Sequence, residues 1–431
     1  MPLRENIRQR LFDSNLELLP QMNEIYELEL AFSETQNLDE RALIARGAYF
    51  AAVDGVPTQH FHICAGESLY LPDGTARNRR RFFERNQFRT GYATHGLFPY
   101  RGKFHPQMVK GIINMMGLRP GEKVLDPMMG SGTTLVEASL MGIDSIGYDV
   151  SPFCQLMATA KLDGFEAPLE PLVIAVRESE LLFRFFGSIV TGGVQLDGAD
   201  KRRRPVGATE IASEYLEPKV WSLLLLAYMD SVGFAERSSR QAPNIQFRGI
   251  LERYAAVVRK LQEARKTLAL SVGHAQAEQG DARSLALPNS SIDGIVFSPP
   301  YSFAVDYVEN DAPHLRLLRA DLELLREQIV GLRGRSLRQK YDTYIGDMRL
   351  VLNECARVLK RERCCAIVIG TNSNQLGKVL GKSPELVEGL DVLMINLAKE
   401  GGLTFVRRFE RRIVGLANSM RDEDILLFRK P

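Results

Sequence analysis

The chain has 431 residues, and 45% of them are hydrophobic, enough for one large domain with additions or for two to three domains. Its 55 basic and 53 acidic residues give a net charge of +2, so a nucleic-acid surface would have to come from local clustering. The five cysteines show no C-x-x-C spacing and favour reduced thiols. Without an export signal or an apolar run of roughly 18 residues, we expect a cytoplasmic protein with no membrane anchor.

Residues 1–95 are predicted to form an N-terminal segment. The apolar spacing from Leu11 to Leu30 predicts helix, and the patterns around Phe61–Cys64 and Ser68–Tyr70 predict strand. The stretch Arg77–Arg89 then carries six arginines and three phenylalanines against one acid. Cations mixed with aromatic rings fit contacts to phosphates and bases, although a charge run is more commonly a solvated surface. We therefore hold this segment as a candidate DNA-contacting region.

The next stretch of sequence alternates strand and helix. Lys123–Asp126 is predicted as a strand, Thr133–Met141 as a helix and Ser145–Asp149 as a second strand, which together make a βαβ unit. From residue 162 to residue 275 the pattern becomes helical, notably over Pro218–Ser231 and Ile250–Leu270. We interpret 162–275 as a helical insertion.

The strand pattern resumes after the insertion and continues to the end of the chain. The predicted elements are the strands Ala275–Asp281 and Gly294–Phe297, the helix Tyr341–Leu359, the strand Cys364–Ile369 and a hairpin of Leu403–Val414 with Asp424–Phe428. Seven strands result. We therefore predict a Rossmann-like α/β domain made of residues 96–161 and 276–431, with the N-terminal segment and the helical insertion added to it.

A glycine turn follows the first strand of this domain, in Asp126-Pro-Met-Met-Gly-Ser-Gly-Thr-Thr134. Gly130 and Gly132 let the backbone turn sharply and approach a ligand at the start of a helix. Asp149 ends the next strand, where a carboxylate can accept hydrogen bonds from ribose hydroxyls, and Asp281 ends the third, where it could accept from an adenine amino group. The pattern predicts a nucleoside site, although a lone strand-terminal aspartate is usually a turn former.

Two other ligand classes are disfavoured by the same turn. No lysine follows the glycines, which excludes the P-loop pattern, and Leu135 stands where G-x-G-x-x-G has its third glycine, which disfavours NAD and an oxidoreductase. The six histidines have no ligand-like spacing with cysteines or acids, so we expect no metal.

The second motif, Ser298-Pro299-Pro300-Tyr301, ends another apolar strand. The Ser298 hydroxyl and the Pro299 carbonyl can accept from the two hydrogens of an amino group, the prolines fix φ, and Tyr301 can stack on a base. An amino nitrogen held this way becomes a better nucleophile. No cysteine follows a proline in this chain, which excludes the cysteine-dependent route of 5-methylcytosine formation. Asp306 and Tyr307, just beyond the motif, could line a base pocket or start a helix.

The two motifs resemble those of the amino-methyltransferases that act on exocyclic nitrogens of DNA bases. Phe104-His-Pro-Gln-Met108 is similar to the segment that covers the methionine end of the cofactor in that family. The resemblance implies the S-adenosylmethionine-dependent methyltransferase fold and S-adenosylmethionine as cofactor. It also implies a set of cofactor contacts, namely Phe104, Pro106, Asp126, Gly130, Gly132, Thr133, Asp149 and Asp281.

The form Ser-Pro-Pro-Tyr resembles that of the N4-cytosine enzymes. The resemblance therefore implies a site-specific N4-cytosine methyltransferase acting on a base flipped out of double-stranded DNA, with a cognate restriction endonuclease or defence system as partner. N6-adenine methylation, methylation of an RNA base, and a catalytically idle binding subunit stay as alternatives. Lys201–Arg204 and Arg333–Lys340 are further basic clusters that could contact nucleic acid.

Overall fold

The computed structural model describes residues 10–19, 22, 24–65, 90–100, 103–191, 215, 217–237, 242–300, 306–412 and 422–431. Four predictions from the sequence lie outside these residues: the strand at Ser68–Tyr70, the basic clusters Arg77–Arg89 and Lys201–Arg204, and the stacking role of Tyr301.

A small three-stranded antiparallel sheet and three helices form the described N-terminal part. The strands and helices are, in chain order, β1 (Leu16–Leu18), α1 (Ile25–Asn37), α2 (Glu40–Arg46), β2 (Phe50–Val53), β3 (Val56–Pro57) and α3 (Gln59–Ala65). The helix predicted from the spacing of Leu11 to Leu30 is thus wrong in part, because Leu16–Leu18 pairs with Phe50–Val53 as a strand.

The strand predicted at Phe61–Cys64 is also wrong, because these residues lie in α3. The alternation of apolar and polar residues there has the period of a strand, yet a local cap starts a helix. The Thr58 hydroxyl accepts a hydrogen bond from the Phe61 amide at 3.1 Å and donates one to the Phe50 carbonyl at 2.7 Å. Capping of the first turn therefore overrides the period-two pattern.

The central sheet has seven strands, as predicted, in the order β6-β5-β4-β7-β8-β10-β9. Its strands are β4 (Lys123–Asp126), β5 (Asp144–Asp149), β6 (Ala275–Gln279), β7 (Ile292–Phe297), β8 (Leu359–Gly370), β9 (Thr404–Arg412) and β10 (Asp422–Arg429). The neighbours from β6 through β8 pair in parallel, and β10 pairs antiparallel with both β8 and β9. The Rossmann-like α/β fold expected from the sequence is confirmed.

Helices lie between and beside these strands. They are α4 (Pro106–Met115), α5 (Thr133–Leu140), α6 (Pro152–Asp163), α7 (Leu169–Arg177), α8 (Ser179–Thr191), α9 (Pro218–Arg237), α10 (Pro243–Thr267), α11 (Tyr307–Leu317), α12 (Leu322–Gln328), α13 (Leu337–Val358), α14 (Ser373–Leu380) and α15 (Leu390–Glu400). Among the described residues, no helix has the length and apolar character needed to cross a membrane.

Both faces of the sheet are covered, so its inner strands β4, β5 and β7 are mostly buried. Along β4, Val124 packs with Ile112 of α4 on one face, in a core that includes residues of the N-terminal part. Leu125 packs on the other face, in a core that includes Met348 of α13 and Leu397 of α15. Burial on two sides explains why β7 has no exposed residue.

The helices α6 to α10 share a third core, rich in aromatic residues. Phe186 stacks on Tyr228 with ring centroids 5.2 Å apart, and Phe247 packs edge-on against the Tyr228 ring at 6.1 Å. Buried aromatic pairs contribute both apolar area and a preferred ring geometry. These helices therefore pack around a core of their own, beside the parallel edge of the sheet.

Candidate functional site

The two motifs lie at the point where the strand order reverses. From β4 the chain builds β5 and β6 to one side, and from β7 it builds β8 to the other. In open α/β sheets, the crevice at such a reversal, beyond the carboxyl ends of the strands, is where ligands bind. A cleft lies there, and its lining includes Gly130 and Asp149 from the first motif region and Ser298 and Pro299 from the second.

The glycine turn is shaped by two left-handed residues. Gly130 has φ of 48° and Gly132 has φ of 74°, a conformation that residues with a Cβ atom rarely adopt. A Cβ atom at Gly132 would stand 2.7 Å from the Cβ of Ala158 on α6, so the turn is pressed against that helix. Gly132 caps the N-terminus of α5, which leaves amide groups at the helix start without intrahelical partners.

Asp149 connects the end of β5 to the glycine turn. Its Oδ2 atom accepts a hydrogen bond from the Gly130 amide at 3.0 Å, and its Oδ1 atom accepts one from the Ser151 amide at 2.9 Å. Burial raises the pKa of Asp149 to about 6, while these two hydrogen bonds act in the opposite direction. Each carboxylate oxygen has a second lone pair, so Asp149 can still accept from ribose hydroxyls in the cleft.

Asp126 is buried behind the glycine turn and does not line the cleft. It is 1% exposed, and it accepts hydrogen bonds from the Thr134 hydroxyl at 2.6 Å and from the Met128 amide at 3.1 Å. Burial raises its pKa to about 7 despite these bonds. A direct contact between Asp126 and a ligand stays a prediction.

Asp281 lines the cleft but is paired with a neighbouring arginine. The Arg283 guanidinium donates to both Asp281 oxygens, at 2.9 and 2.7 Å, and also to Asp347 at 3.0 Å. Burial acts to raise the pKa of Asp281, but the hydrogen bonds and charge of Arg283 outweigh it and lower that pKa. Asp281 is thus fixed as a carboxylate at the cleft wall, and its role toward adenine stays a prediction.

Three other predicted cofactor residues do not line the cleft. Phe104 is half-buried against the core beneath the N-terminal part, and Pro106 is buried at the first position of α4. Thr133 is 2% exposed at the start of α5, and its hydroxyl has no hydrogen-bond partner among the described residues. Contacts of these three residues with a cofactor stay predictions.

Ser298, Pro299 and Pro300 all line the cleft, directly after the buried strand β7. Parallel pairing of β7 with β4 places the start of this tetrapeptide beside the end of Asp126's strand. The structure thus brings together in one cleft six of the predicted residues, namely Gly130, Asp149, Asp281, Ser298, Pro299 and Pro300.

The cleft also has walls that the sequence reasoning missed. Tyr100 and Cys154 line it from one side, with the Tyr100 hydroxyl 3.7 Å from the Cys154 sulfur. Asp311 of α11 lines it as well, and its Oδ2 atom accepts a hydrogen bond from the Tyr100 hydroxyl at 3.3 Å. Tyr100 lies four residues before Phe104. An aromatic residue so close to that motif was the one sequence feature that could have indicated Tyr100 as a cleft residue.

A buried lysine holds the glycine turn from the side of α6. Lys161 is fully buried, and its Nζ atom donates a hydrogen bond to the Ser131 carbonyl at 2.6 Å. Burial lowers the pKa of Lys161 well below its usual value, and the nearby Lys103 adds to this effect. The turn is therefore fixed at two points, by Lys161 and by the contact of Gly132 with Ala158.

A buried polar cluster lies under α5, away from the cleft. Glu137 is fully buried and accepts hydrogen bonds from the Tyr92 hydroxyl at 2.6 Å and from His95 Nε2 at 2.7 Å. Lys110 of α4 forms an ion pair with its other oxygen at 3.2 Å. Burial acts to raise the pKa of Glu137, but Lys110 and His95 together lower it to about 2.

No metal centre is formed by the described part of the chain, where no three histidine, cysteine or acidic side chains are grouped to hold an ion. Of the predicted basic clusters, only Arg333–Lys340 lies within the described residues. There, Arg333 is ion-paired with the buried Asp347, and Arg338 pairs with Asp342 at 3.1 Å. These pairs neutralise part of the cluster's charge, and its contact with nucleic acid stays a prediction.

Parts of the chain are similar to known methyltransferases. Residues 97–211 match a family described as RMKL-like, methyltransferase domain. The Type II methyltransferase M.MjaII of Methanocaldococcus jannaschii is 49% identical over 72 residues, which cover 17% of this chain and 13% of that protein. M.BsoBI, a Type II methyltransferase of Geobacillus stearothermophilus, is 38% identical over 84 residues, or 20% of this chain and 16% of its own.

A third relative has a different substrate in its name. The tRNA (guanine(10)-N2)-dimethyltransferase of Methanothermobacter thermautotrophicus is 38% identical over 53 residues, covering 12% of this chain and 16% of that protein. The chain therefore spans less than a fifth of the length of each of these relatives. Within the matched segments, the resemblance to the amino-methyltransferases is confirmed, and so is S-adenosylmethionine as the cofactor.

Proposed function

We propose that this S-adenosylmethionine-dependent amino-methyltransferase is a site-specific DNA methyltransferase that modifies the N4 amino group of cytosine. The observation that carries the proposal is that Ser298 and Pro299 share one cleft with Gly130 and Asp149. Similarity to two Type II methyltransferases supports DNA as the substrate. The serine at the first position of Ser-Pro-Pro-Tyr supports cytosine, because this form resembles that of the N4-cytosine enzymes.

The residues of the cleft fit S-adenosylmethionine. Asp149 offers carboxylate lone pairs for the ribose hydroxyls, and Gly130 lets the protein backbone approach the ligand closely. Asp281, held by Arg283, can accept from the adenine amino group. When bound, the cofactor supplies an electrophilic methyl group on a positively charged sulfur.

The acceptor side of the cleft supplies orientation and hydrogen bonding. An exocyclic amino nitrogen is a poor nucleophile because its lone pair is delocalised into the ring. The Ser298 hydroxyl and the Pro299 carbonyl can accept from its two hydrogens and draw the nitrogen toward tetrahedral geometry, and two adjacent prolines hold the carbonyl in place. Alignment with the methyl group then lowers the barrier without a covalent enzyme intermediate. A base in duplex DNA reaches this cleft only by flipping out, and Tyr301 is proposed to stack on it.

Target recognition is proposed for the parts of the chain outside the central sheet. The helical segment 162–275 and the N-terminal residues 1–95 are the two candidates, since only 16 residues separate Asp281 from Ser298. The arginine-rich stretch Arg77–Arg89 supports a role for the N-terminal part in phosphate contact. The proposed partner is a cognate restriction endonuclease or another component of a defence system.

A second candidate function is methylation of an RNA base. It is favoured by the match to a tRNA (guanine(10)-N2)-dimethyltransferase. N6-adenine methylation of DNA is a third candidate, because the same cleft geometry serves either amino group.

One experiment separates these candidates. The protein is incubated with tritiated S-adenosylmethionine and, in parallel, with mixed-sequence duplex DNA and with a tRNA pool, and the labelled nucleoside is identified by digestion and chromatography. We expect labelled N4-methylcytosine from DNA, and far less label in the same time with the Ser298→Ala variant. Labelled N6-methyladenine or label only in RNA would replace the cytosine assignment, and no label in either nucleic acid would contradict an enzyme.

The affinity for S-adenosylmethionine is expected to fall as the pH decreases through about 6. Burial raises the pKa of Asp149 to that value, so below it the carboxyl is neutral and a weaker partner for ribose hydroxyls and for the cofactor's positive charge. Isothermal titration between pH 5 and pH 8 measures this. The Asp149→Asn variant should bind weakly with a flatter profile, and a wild-type profile in that variant would show that Asp149 is not the group responsible.

Lys161→Met is expected to weaken cofactor binding by about 10-fold, because it leaves the Ser131 carbonyl of the glycine turn without its hydrogen bond. The matched control is Lys219→Met, since Lys219 is half-exposed and pairs with Glu166 at the surface. The control should bind as the wild type does. Equal affinities in both variants would mean that Lys161 does not position the turn.

A further inference from the structure

The proposed reaction releases a proton that the cleft must accommodate, and the following inference rests on that proposed function. As the nitrogen–carbon bond forms, the carbon–sulfur bond breaks and its electron pair stays on sulfur. The nitrogen then carries the methyl group and both of its original hydrogens, and it therefore has a positive charge. A hydroxyl such as that of Ser298 and a carbonyl such as that of Pro299 can accept hydrogen bonds but are too weakly basic to keep the proton.

Carboxylates are the basic groups suited to this task, and three of them line the described part of the cleft. Asp149 is bonded to the amides of Gly130 and Ser151 at the cofactor turn. Asp281 is paired with Arg283, and that pairing lowers its pKa, so it resists protonation. The third carboxylate is Asp311 of α11, which is not among the proposed cofactor contacts.

Asp311 is connected to the glycine turn through Tyr100. The Tyr100 hydroxyl donates to Asp311 Oδ2 at 3.3 Å, and the edge of the Tyr100 ring lies 4.0 Å from the point where a Cβ atom on Gly130 would stand. Burial raises the pKa of the Tyr100 phenol well above its usual value, so it stays a hydrogen-bond donor at neutral pH. The Asp311 carboxylate thus lines the same cleft as Gly130 and Ser298, and Tyr100 links it to the glycine turn.

Contacts before and after Asp311 fix the helix that carries it. Asp306 caps α11 by accepting from the Glu309 amide at 2.9 Å, and Arg326 of α12 donates to Asp306 at 2.5 Å. One turn after Asp311, the His314 ring stacks on Phe153 of α6 with centroids 4.5 Å apart. These contacts preorganise the carboxylate relative to α6 and the glycine turn.

We propose that Asp311 accepts the proton released by the methylated amino group, and that Tyr100 is a positioning residue that orients the Asp311 carboxylate. The proton moves from the nitrogen to Asp311 and then to solvent at the cleft mouth. The net reaction consumes only the cofactor and the base and needs no further reactant.

Single-turnover methyl transfer with saturating cofactor and DNA tests this assignment, together with cofactor affinity by isothermal titration. We expect Asp311→Asn to reduce the rate constant by about 100-fold, within the range of a lost proton acceptor, with the affinity unchanged within about twofold. Asp311→Glu should recover part of the rate, and Tyr100→Phe should reduce it by about 5-fold, the scale of one typical hydrogen bond. Asp54→Asn is the matched control, an exposed turn residue with φ of 50° that asparagine tolerates.

Three results would overturn the assignment. Asp311→Asn could turn over at the wild-type rate, or lose cofactor affinity in step with its rate, or equal Asp311→Glu in rate. A wild-type protein that transfers no methyl group would instead contradict the proposed function, and with it the role of Asp311, so the two failures are distinguishable.

Discussion

Ser298→Ala is expected to reduce the rate constant of methyl transfer by about 100-fold or more, with cofactor affinity unchanged within about twofold. The serine hydroxyl is one of two acceptors proposed for the target amino group, and loss of one preorganised hydrogen-bonding group from an active site typically costs two to three orders of magnitude. Asp149 and the glycine turn are untouched by the change, so binding of the cofactor should persist. Single-turnover assays with labelled cofactor and titration calorimetry measure the two quantities separately.

Ser291→Ala is the matched control for this experiment. Ser291 precedes β7 at the opposite end from Ser298, and its hydroxyl donates to the Pro288 carbonyl at 2.7 Å on the surface. The control should turn over as the wild type does. If Ser298→Ala also turned over at the wild-type rate, the amino group would be held by other residues. If it lost cofactor affinity in proportion, Ser298 would belong to the cofactor site.

Glu137→Leu is expected to destabilise the fold by about 3–5 kcal/mol, the usual cost of removing one partner from a buried ion pair. The substitution leaves the Lys110 charge, which is 3% exposed, without its partner, and it orphans the Tyr92 hydroxyl and His95 Nε2. A loss of this size is a large fraction of the roughly 5–15 kcal/mol that typically stabilises a domain. Urea denaturation followed by circular dichroism measures it.

A control and a rescue sharpen this prediction. Glu180 forms an exposed ion pair with Arg184 at 2.6 Å, and Glu180→Ala should change the free energy of unfolding by only about 0.5 kcal/mol. Adding Lys110→Met to Glu137→Leu removes the unpaired charge and should recover part of the loss. Similar destabilisation by the buried and the exposed substitutions would contradict the importance of the cluster.

The sequence was sufficient to predict the sheet and the position of the two motifs. The stretch Gly294–Phe297 is apolar and buried because both faces of the sheet are covered, and glycines at left-handed positions mark the turn after Asp126. Parallel strands end at a common edge, so the order of the strands along the chain already predicts that Asp149 and Ser298 lie in one cleft. Local patterns were therefore enough to propose most of the residues on the cofactor side.

The acceptor side was less predictable, because its residues come close only through packing between distant segments. Tyr100 and Asp311 are 211 residues apart and neither lies in a motif. Lys161 resembles any helical lysine until burial of α6 brings its amine to the Ser131 carbonyl. The wrong strand prediction at Phe61–Cys64 has a local cause, because the Thr58 hydroxyl caps the first turn of a helix that the alternating pattern did not indicate.

A crystal structure of the protein with S-adenosylhomocysteine tests the central claim most directly. We expect the ribose hydroxyls within hydrogen-bond distance of Asp149 and the sulfur facing the Ser298–Pro299 end of the cleft. Ligand density elsewhere on the protein, or a bound ligand whose sulfur points away from Ser298 and Pro299, would contradict the assignment of this cleft to amino-group methylation.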